Sequence, residues 1–149
     1  MKQAITTLPL NSGGHIPMLG LGVWQSRNPE RSVLTALKAG YRHIDTAAIY
    51  GNEEAVGRAI KKSGVPRKDI FLTTKLWNDD HKDPEDGLKR SLARLGTDYV
   101  DLYLIHWPLE GKRRGSWKAL EDLYHQKKVR AIGVSNYTVK HLKELLTYA

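Results

Sequence analysis

The sequence predicts an α/β fold: an N-terminal β-hairpin followed by about five strand–helix units of an incomplete (β/α)8 barrel of the TIM type. Short β-rich runs alternate with segments of helical spacing, and the predicted strand ends at Asp45, Lys75, His106 and Ser135 recur every 29 to 31 residues. A repeated unit of this length gives parallel strands with right-handed crossovers. Because the carboxyl ends of such strands share one face, where sites in these folds are built, we expect these four residues to converge.

The predicted hairpin comes first in the chain. Residues 4–8 and 15–17 flank Asn11-Ser12-Gly13-Gly14, four residue types that favour a tight turn. We expect this hairpin to cap one end of the strands that follow.

Five short runs rich in apolar and β-branched residues are predicted to be buried parallel strands. They are residues 18–22, 43–45, 70–75, 100–106 and 131–135.

Five amphipathic helices follow the strands, because apolar residues recur three and four positions apart. These residues are Val33, Leu34 and Leu37; Val56, Ala59 and Ile60; Leu88, Leu92 and Leu95; Trp117, Leu120, Leu123 and Tyr124; and Val139, Leu142, Leu145 and Leu146. Four helices have a predicted N-terminal capping side chain, whose oxygen can accept a bond from first-turn amides. The capping residues are Asn28, Asp83, Ser116 and Thr138.

Two architectures use such a repeat, an open doubly wound sheet and a closed barrel of about 250 residues. The dinucleotide-binding fingerprint of the first is incomplete, because Gln25 stands where Gly20-Leu21-Gly22 requires a third glycine. The barrel is therefore favoured. Residues 1–149 are expected to form one domain, the N-terminal portion of a barrel from which units six to eight are absent. Without those strands, Leu102 and Leu104 should be partly exposed to water.

Composition and charge exclude several classes of protein. The 149 residues include 40% hydrophobic residues and no cysteine, which is typical of a globular protein without a disulfide framework or a thiolate metal site. The net charge of +8 divides into +2, +3 and +3 over residues 1–60, 61–114 and 115–149. Because this charge is spread out and few aromatic residues lie among the basic ones, solvated surfaces are favoured over a nucleic-acid partner.

Metal binding and membrane insertion are not expected either. His43 and Asp45 are two residues apart but lack a third ligand close in sequence, so a hydrogen-bonded histidine is favoured over a metal site. No apolar stretch near residue 1 is long enough for a signal peptide or a membrane span. A cytoplasmic protein is expected.

Five motifs, in this order along essentially the whole chain, resemble the aldo-keto reductases. They are GYRHIDTA at 40–47, YGNE at 50–53, TKLW at 74–77, DLYLIHWP at 101–108 and RAIGVSNY at 130–137. Within that family the chain is most similar to the group that includes diketo-gluconate reductases and prostaglandin F synthases. The resemblance implies a (β/α)8 barrel and NADPH-dependent reduction of aldehydes or ketones to alcohols.

The resemblance also implies a catalytic tetrad. Hydride transfer to a carbonyl carbon leaves negative charge on the oxygen, so a proton donor and electrostatic support must lie beside it. Tyr50 would be the proton donor. Lys75 would supply a positive charge that favours the phenolate, Asp45 would orient Lys75 and keep it protonated, and His106 would hydrogen-bond the substrate oxygen. Each of these residues, taken alone, is more often structural.

Further residues have roles implied only by the resemblance. Ser135 and Asn136 would grip the nicotinamide carboxamide, and Asp45 would also contact the cofactor; the alternative for the first two is capping of the strand end. Trp24, Trp77 and Trp107 would line the substrate pocket with Tyr50 and His106, with core packing as the alternative for each tryptophan. The family's other NADP(H)-binding groups belong to units six to eight, so the cofactor expectation depends on the family alone.

Three functions remain open from the sequence. The first is a carbonyl reductase acting on a small molecule, with residues 1–149 alone weakly active or inactive. The second is a non-catalytic half-barrel that self-associates through open sheet edges or complements another fragment. The third, a basic nucleic-acid binder, is disfavoured by the charge distribution.

Overall fold

The structure is a computed structural model and describes residues 5–149. Its strands are β1 (Thr7–Pro9), β2 (His15–Pro17), β3 (Leu21–Gly22), β4 (His43–Asp45), β5 (Phe71–Leu76), β6 (Leu102–Ile105) and β7 (Ile132–Val134). Its helices are α1 (Pro29–Lys38), α2 (Glu53–Lys62), α3 (Pro84–Leu95), α4 (Arg113–His125) and α5 (Val139–Leu145), and short 3-10 helices lie at Ala48–Tyr50, Arg67–Asp69 and Asn78–Asp80. None of these helices is long and apolar enough to cross a membrane.

The main sheet has five parallel strands in the order β3-β4-β5-β6-β7, which is also their order in the chain. Each of these five strands is followed by a helix, as the 30-residue repeat predicts. The register pairs Asp45 with Thr73 and Lys75 with Leu104, so the strand ends that carry polar residues lie along one edge. The predicted five-unit portion of a barrel is confirmed.

The predicted hairpin is also present, as an antiparallel pair of β1 and β2. Its turn is closed by the Gly13 amide, which donates to the Leu10 carbonyl at 3.0 Å. The first strand lies at Thr7–Pro9 rather than 4–8, and Ala4 is outside the described residues.

The strand predicted at residues 18–22 is wrong in its first part, because only Leu21 and Gly22 pair with β4. The Met18 amide instead donates to Thr6 in the hairpin at 3.0 Å, and the Met18 side chain is exposed. The chain then passes close to β4: a Cβ at Gly20 would lie 2.6 Å from Nδ1 of His43. The hydrogen bond of Met18 to Thr6 thus holds residue 18 at the hairpin, and pairing with the sheet begins only at Leu21.

The hydrophobic core lies between the sheet and the helices. On β6, Tyr103 and Ile105 are buried while Leu102 and Leu104 are half-buried, so alternate residues face opposite sides. The predicted partial exposure of Leu102 and Leu104 is therefore confirmed. The largest fully buried core side chains are Val23, Leu37, Ile44, Ile70, Leu72, Leu76, Leu88, Tyr103, Ile105, Leu120 and Leu123.

Three of the four predicted helix caps are confirmed. Asn28 and Asp83 accept bonds from the third amide of their helices, and Thr138 forms a capping box with His141. Ser116 is not a cap: α4 begins at Arg113, and Ser116 is buried within it, with Oγ 2.7 Å from Nδ1 of His81. A buried hydrogen-bond partner from another segment thus explains the serine.

The predicted amphipathic helix at the C-terminal end is present as α5, but most of its apolar residues are uncovered. Leu145 is buried, whereas Val139, Leu142 and Leu146 are 70%, 41% and 77% exposed. The apolar face of α5 is therefore largely accessible in the described structure.

Candidate active site

The structure brings all four predicted tetrad residues together at the carboxyl edge of the sheet. Asp45 ends β4, Lys75 is the penultimate residue of β5, and His106 directly follows β6. Tyr50 ends the 3-10 helix that follows β4. These positions follow from the parallel topology, which places successive strand ends side by side.

Lys75 is the centre of this group. Its Nζ donates to Asp45 Oδ1 at 2.6 Å, to the Thr46 carbonyl at 2.9 Å and towards the Tyr50 hydroxyl at 3.5 Å. An ammonium has three donors, so each of them is directed at an acceptor. Because the Lys75 side chain is only 7% exposed, the Asp45 carboxylate compensates a charge that would be costly to bury alone.

Tyr50 lies between the lysine and the histidine. Lys75 Nζ is 5.1 Å from the centre of the Tyr50 ring, and the Tyr50 and His106 rings meet edge to face with centroids 5.6 Å apart. A positive charge beside a phenol favours transfer of its proton to an acceptor. The contact to the Tyr50 hydroxyl is the longest of the three that Lys75 makes.

His106 is almost entirely buried, and this burial, assisted by the charge of Lys75, lowers the pKa of its imidazole. A neutral imidazole has one N–H donor and one acceptor nitrogen. Its Nδ1 is buried and has no hydrogen-bond partner among residues 5–149. A neutral His106 can therefore donate one hydrogen bond, from whichever ring nitrogen carries the proton.

Two of the three predicted tryptophans pack against His106. Trp77 meets the imidazole edge to face with centroids 5.5 Å apart, and the half-exposed Trp107 stacks on it at 6.5 Å. Trp24 lies in the turn after β3 and is 67% exposed. The aromatic side chains in ring contact with His106 are therefore Tyr50, Trp77 and Trp107.

Ser135 and Asn136 follow β7 and lie beside His106. Asn136 Nδ2 donates to the His106 carbonyl at 2.8 Å and to Ser135 Oγ at 3.1 Å, and the Ser135 amide donates to Ile105 at 2.9 Å. Both residues thus tie the ends of β6 and β7 together, as the capping alternative predicts. Asn136 is also exposed.

His43 has the hydrogen-bonded environment that the sequence favours. Its Nε2 lies 3.1 Å from Thr73 Oγ1, and its ring meets Phe71 edge to face. Burial lowers the pKa of His43. The absence of a metal role stays a prediction.

Two residues at this edge were missed by sequence reasoning. The Thr46 carbonyl is an acceptor for Lys75, and Asn52 accepts from Thr46 and donates to the carbonyl of Val23, which directly follows β3. A backbone carbonyl leaves no signal in a sequence. Asn52 did leave a signal in the sequence: it stands in the YGNE motif two residues after Tyr50, at the position that precedes α2.

Residues 18–149 match the model of the aldo/keto reductase family. The chain belongs to this family. The prediction made from the five motifs is thereby confirmed.

Two relatives are similar over nearly all of this aldo/keto reductase chain. Glycerol 2-dehydrogenase (NADP(+)) of Saccharomyces cerevisiae is 48% identical over 98% of the chain and 56% of its own length. The 9,11-endoperoxide prostaglandin H2 reductase of Trypanosoma cruzi is 51% identical over 91% of the chain and 50% of its own.

Solved structures agree with the fold. The aldo-keto reductase of Bombyx mori, in complex with NADP, superposes with a TM-score of 0.91 at 36% identity, covering 97% of this chain and 55% of that one. A structure assigned as a 2,5-diketo-D-gluconic acid reductase B superposes with a TM-score of 0.90 at 40% identity, covering 98% and 53%. The predicted similarity to the group that includes diketo-gluconate reductases and prostaglandin F synthases is confirmed. The aldo/keto reductase chain spans about half the length of the curated relatives it matches.

Proposed function

We propose that this aldo/keto reductase chain carries the proton-transfer site of an NADPH-dependent reductase of aldehydes and ketones. The observation that carries the proposal is the placement of Lys75 Nζ, which contacts Asp45 at 2.6 Å and the Tyr50 hydroxyl at 3.5 Å next to His106. When bound, NADPH supplies a hydride to the carbonyl carbon. The chain's own residues then have to supply the proton that the oxygen needs to become an alcohol.

Tyr50 is the proposed general acid. The substrate's carbonyl oxygen gains negative charge as the C–H bond forms, and the Tyr50 hydroxyl transfers its proton to that oxygen. The phenolate left on Tyr50 lies beside the Lys75 ammonium, which stabilises it until solvent returns a proton. Asp45 holds Lys75 in place and compensates its buried charge.

His106 is the proposed orienting donor. With one ring nitrogen protonated, it can hydrogen-bond the carbonyl oxygen while the edge of its ring contacts Tyr50. Trp77 and Trp107 would then contact the apolar part of the substrate, because they flank the same imidazole. Trp24, which is mostly exposed, is proposed as an outer wall of that pocket.

The residues after β7 fit the nicotinamide end of the cofactor. A primary carboxamide has two donors and an acceptor, and Ser135 and Asn136 present a hydroxyl and an amide oxygen beside His106. Asp45, which is a third exposed at its side chain, is proposed to contact the cofactor on the same edge. A relative named for NADP(+) and a structure in complex with NADP support this choice of cofactor.

The test is an assay of NADPH oxidation with small aldehydes, diketones and ketones, using the chain together with any in-frame continuation of its gene. Tyr50→Phe should lower the rate by about 10²- to 10⁴-fold, since it removes the proton donor but keeps the ring. Tyr124→Phe, on α4 away from the site, should retain the wild-type rate. A Tyr50→Phe variant that keeps the wild-type rate, or no oxidation with any of these carbonyls, would overturn the proposal.

A second candidate function is self-association of the half-barrel, favoured by uncovered apolar surface. Val139 at the start of α5 and Leu146 directly after it are more than two-thirds exposed, and β3 and β7 each pair on one side only among the described strands. Light scattering over a range of concentrations tests this: Leu146→Lys should shift the population towards monomer. A wild-type chain that stays monomeric at every concentration would contradict it.

The proposal keeps two expectations from the sequence. The partner is a small carbonyl compound rather than a nucleic acid, and the reaction takes place in the cytoplasm. Binding to nucleic acid that weakened steeply with salt would contradict the first.

A further inference from the structure

The loop that carries Tyr50 is closed by a bond between side chains at its two ends. Thr46, which is fully buried, donates from Oγ1 to Asn52 Oδ1 at 2.7 Å. We call this pair of residues the loop clasp. The five residues between them include the 3-10 helix that ends at Tyr50, so the loop clasp restricts where the phenol can lie.

The loop clasp is anchored to Val23, the residue that directly follows β3. Asn52 Nδ2 donates to the Val23 carbonyl at 3.0 Å, and the Val23 amide donates to the Asp45 carbonyl at 3.1 Å. Val23 is completely buried and directly precedes Trp24. One amide side chain thus connects the Tyr50 loop to the end of β3.

Asn52 has an unusual role for a residue at the start of a helix. Asparagine there ordinarily accepts a bond from a first-turn amide, as Asn28 does from Arg31 at 3.0 Å. Asn52 occupies the same position before α2 and makes no such bond. Its side chain instead faces Thr46 and Val23, away from its own helix.

The loop clasp also contacts Lys75, through the backbone of Thr46. The Thr46 carbonyl accepts a bond from Lys75 Nζ at 2.9 Å, and the Thr46 amide donates to Thr73 on β5 at 3.0 Å. Thr46 therefore lies between the ammonium and the loop that holds the phenol. A shift of Thr46 would move the acceptor of Lys75 and the Tyr50 loop together.

We propose that Asn52 and Thr46 are positioning residues, which hold the Tyr50 hydroxyl within reach of Lys75 and beside His106. This inference rests on the proposed function for its kinetic consequence. Its structural consequence, the contact of the Tyr50 and His106 rings at 5.6 Å, is measurable whether or not the chain reduces carbonyls.

The experiment compares four variants of the loop clasp. Asn52→Ala removes both of its side-chain bonds, and Thr46→Val removes the hydroxyl at nearly constant volume; each should lower kcat by about 10- to 100-fold while KM for NADPH stays unchanged. Thr46→Ser keeps the hydroxyl and should restore most of the rate. Asn52→Asp keeps the acceptor for Thr46 but opposes the Val23 carbonyl with a charged oxygen, so it should resemble Asn52→Ala.

Nuclear magnetic resonance supplies the second readout. The nuclear Overhauser effect between the Tyr50 and His106 rings should weaken in Asn52→Ala and Thr46→Val and persist in Thr46→Ser. Asn28→Ala is the matched control, because it removes an asparagine from another helix start, where the side chain does cap. This control should lower stability and leave both the ring contact and kcat unchanged.

The outcomes separate the two proposals. A wild-type ring contact in Asn52→Ala and Thr46→Val overturns the positioning role, and so does a fall in kcat no larger than that of Asn28→Ala. A chain whose NADPH oxidation does not depend on Tyr50 overturns the proposed function instead, and the ring contact then decides the positioning role by itself.

Discussion

Asp101 should contribute much of the stability of the sheet, because it joins the starts of three strands whose far ends carry the site. Its buried carboxylate accepts from the Leu72 amide at 3.0 Å, from Arg67 at 2.9 Å and from Arg130 at 3.0 Å. Both guanidinium groups also stack on the Tyr99 ring, each 4.1 Å from its centre. We expect Asp101→Ala to destabilise the fold strongly.

The magnitude follows from these contacts. The buried Leu72 amide left without an acceptor costs about 1–3 kcal/mol, and the charged bond to Arg67 contributes about 1.5–3 kcal/mol. Arg67 retains bonds to the Ile70 and Tyr99 carbonyls, which limits its loss. Arg130 is 54% exposed, so its ion pair adds at most about 1 kcal/mol. The expected loss is therefore about 3–5 kcal/mol, out of roughly 5–15 kcal/mol for a typical domain.

Urea unfolding followed by tryptophan fluorescence measures this loss. Asp101→Asn keeps an acceptor for the Leu72 amide and should cost about half as much. Asp122→Ala is the control, because that carboxylate is 56% exposed and lies 3.5 Å from Lys118; it should change stability by about 0.5 kcal/mol or less. The reasoning is refuted if Asp101→Ala costs less than about 1 kcal/mol, or if the alanine and asparagine variants are equally stable.

Two further predictions concern packing and pH. Gly57→Ala should lower the free energy of unfolding by about 1–3 kcal/mol, because its Cβ would lie 2.3 Å from the Leu95 carbonyl oxygen. Gly115→Ala on α4, whose Cβ would meet open space, should raise the free energy of unfolding by about 0.5–1 kcal/mol. Urea unfolding would contradict this prediction if both variants changed stability in the same direction. Burial lowers the pKa of His81 in the folded chain below its ordinary 6.5, so the unfolded chain takes up this proton first and stability falls as pH drops below 6.5. Unfolding between pH 7.5 and 5 should show a smaller fall in His81→Asn, which can keep the bond to Ser116; an identical fall would argue against it.

Much of the fold could be predicted because it depends on local patterns and one topological rule. Each helix is predicted from apolar residues a few positions apart, such as Val56 and Ile60 in α2. Each strand end, at Asp45, Lys75 and His106, is likewise predicted from a short stretch of sequence. Parallel strands with right-handed crossovers place such ends side by side, so the convergence of the tetrad follows without any knowledge of contacts. The five-unit order and the meeting of these residues agree with that expectation.

Other features were decided only by contacts between segments remote in sequence. Ser116 has the residue type of a helix cap, yet its bond to His81 places it inside α4. Residues 18–20 have the composition of a strand, yet the bond of Met18 to Thr6 directs them to the hairpin. In both cases the local preference is weak, and a single partner brought close by the tertiary structure outweighs it.

The same division holds within the site. By itself the sequence determined which side chains reach the carboxyl edge, because strand period and direction set that placement. Only the tertiary structure decided how they meet: that the Thr46 carbonyl is an acceptor for Lys75, that Asn52 bonds Val23 rather than its own helix, and that Trp24 remains exposed. Hydrogen bonds are directional and act over about 3 Å, so they depend on the final positions of atoms that no one-dimensional pattern specifies.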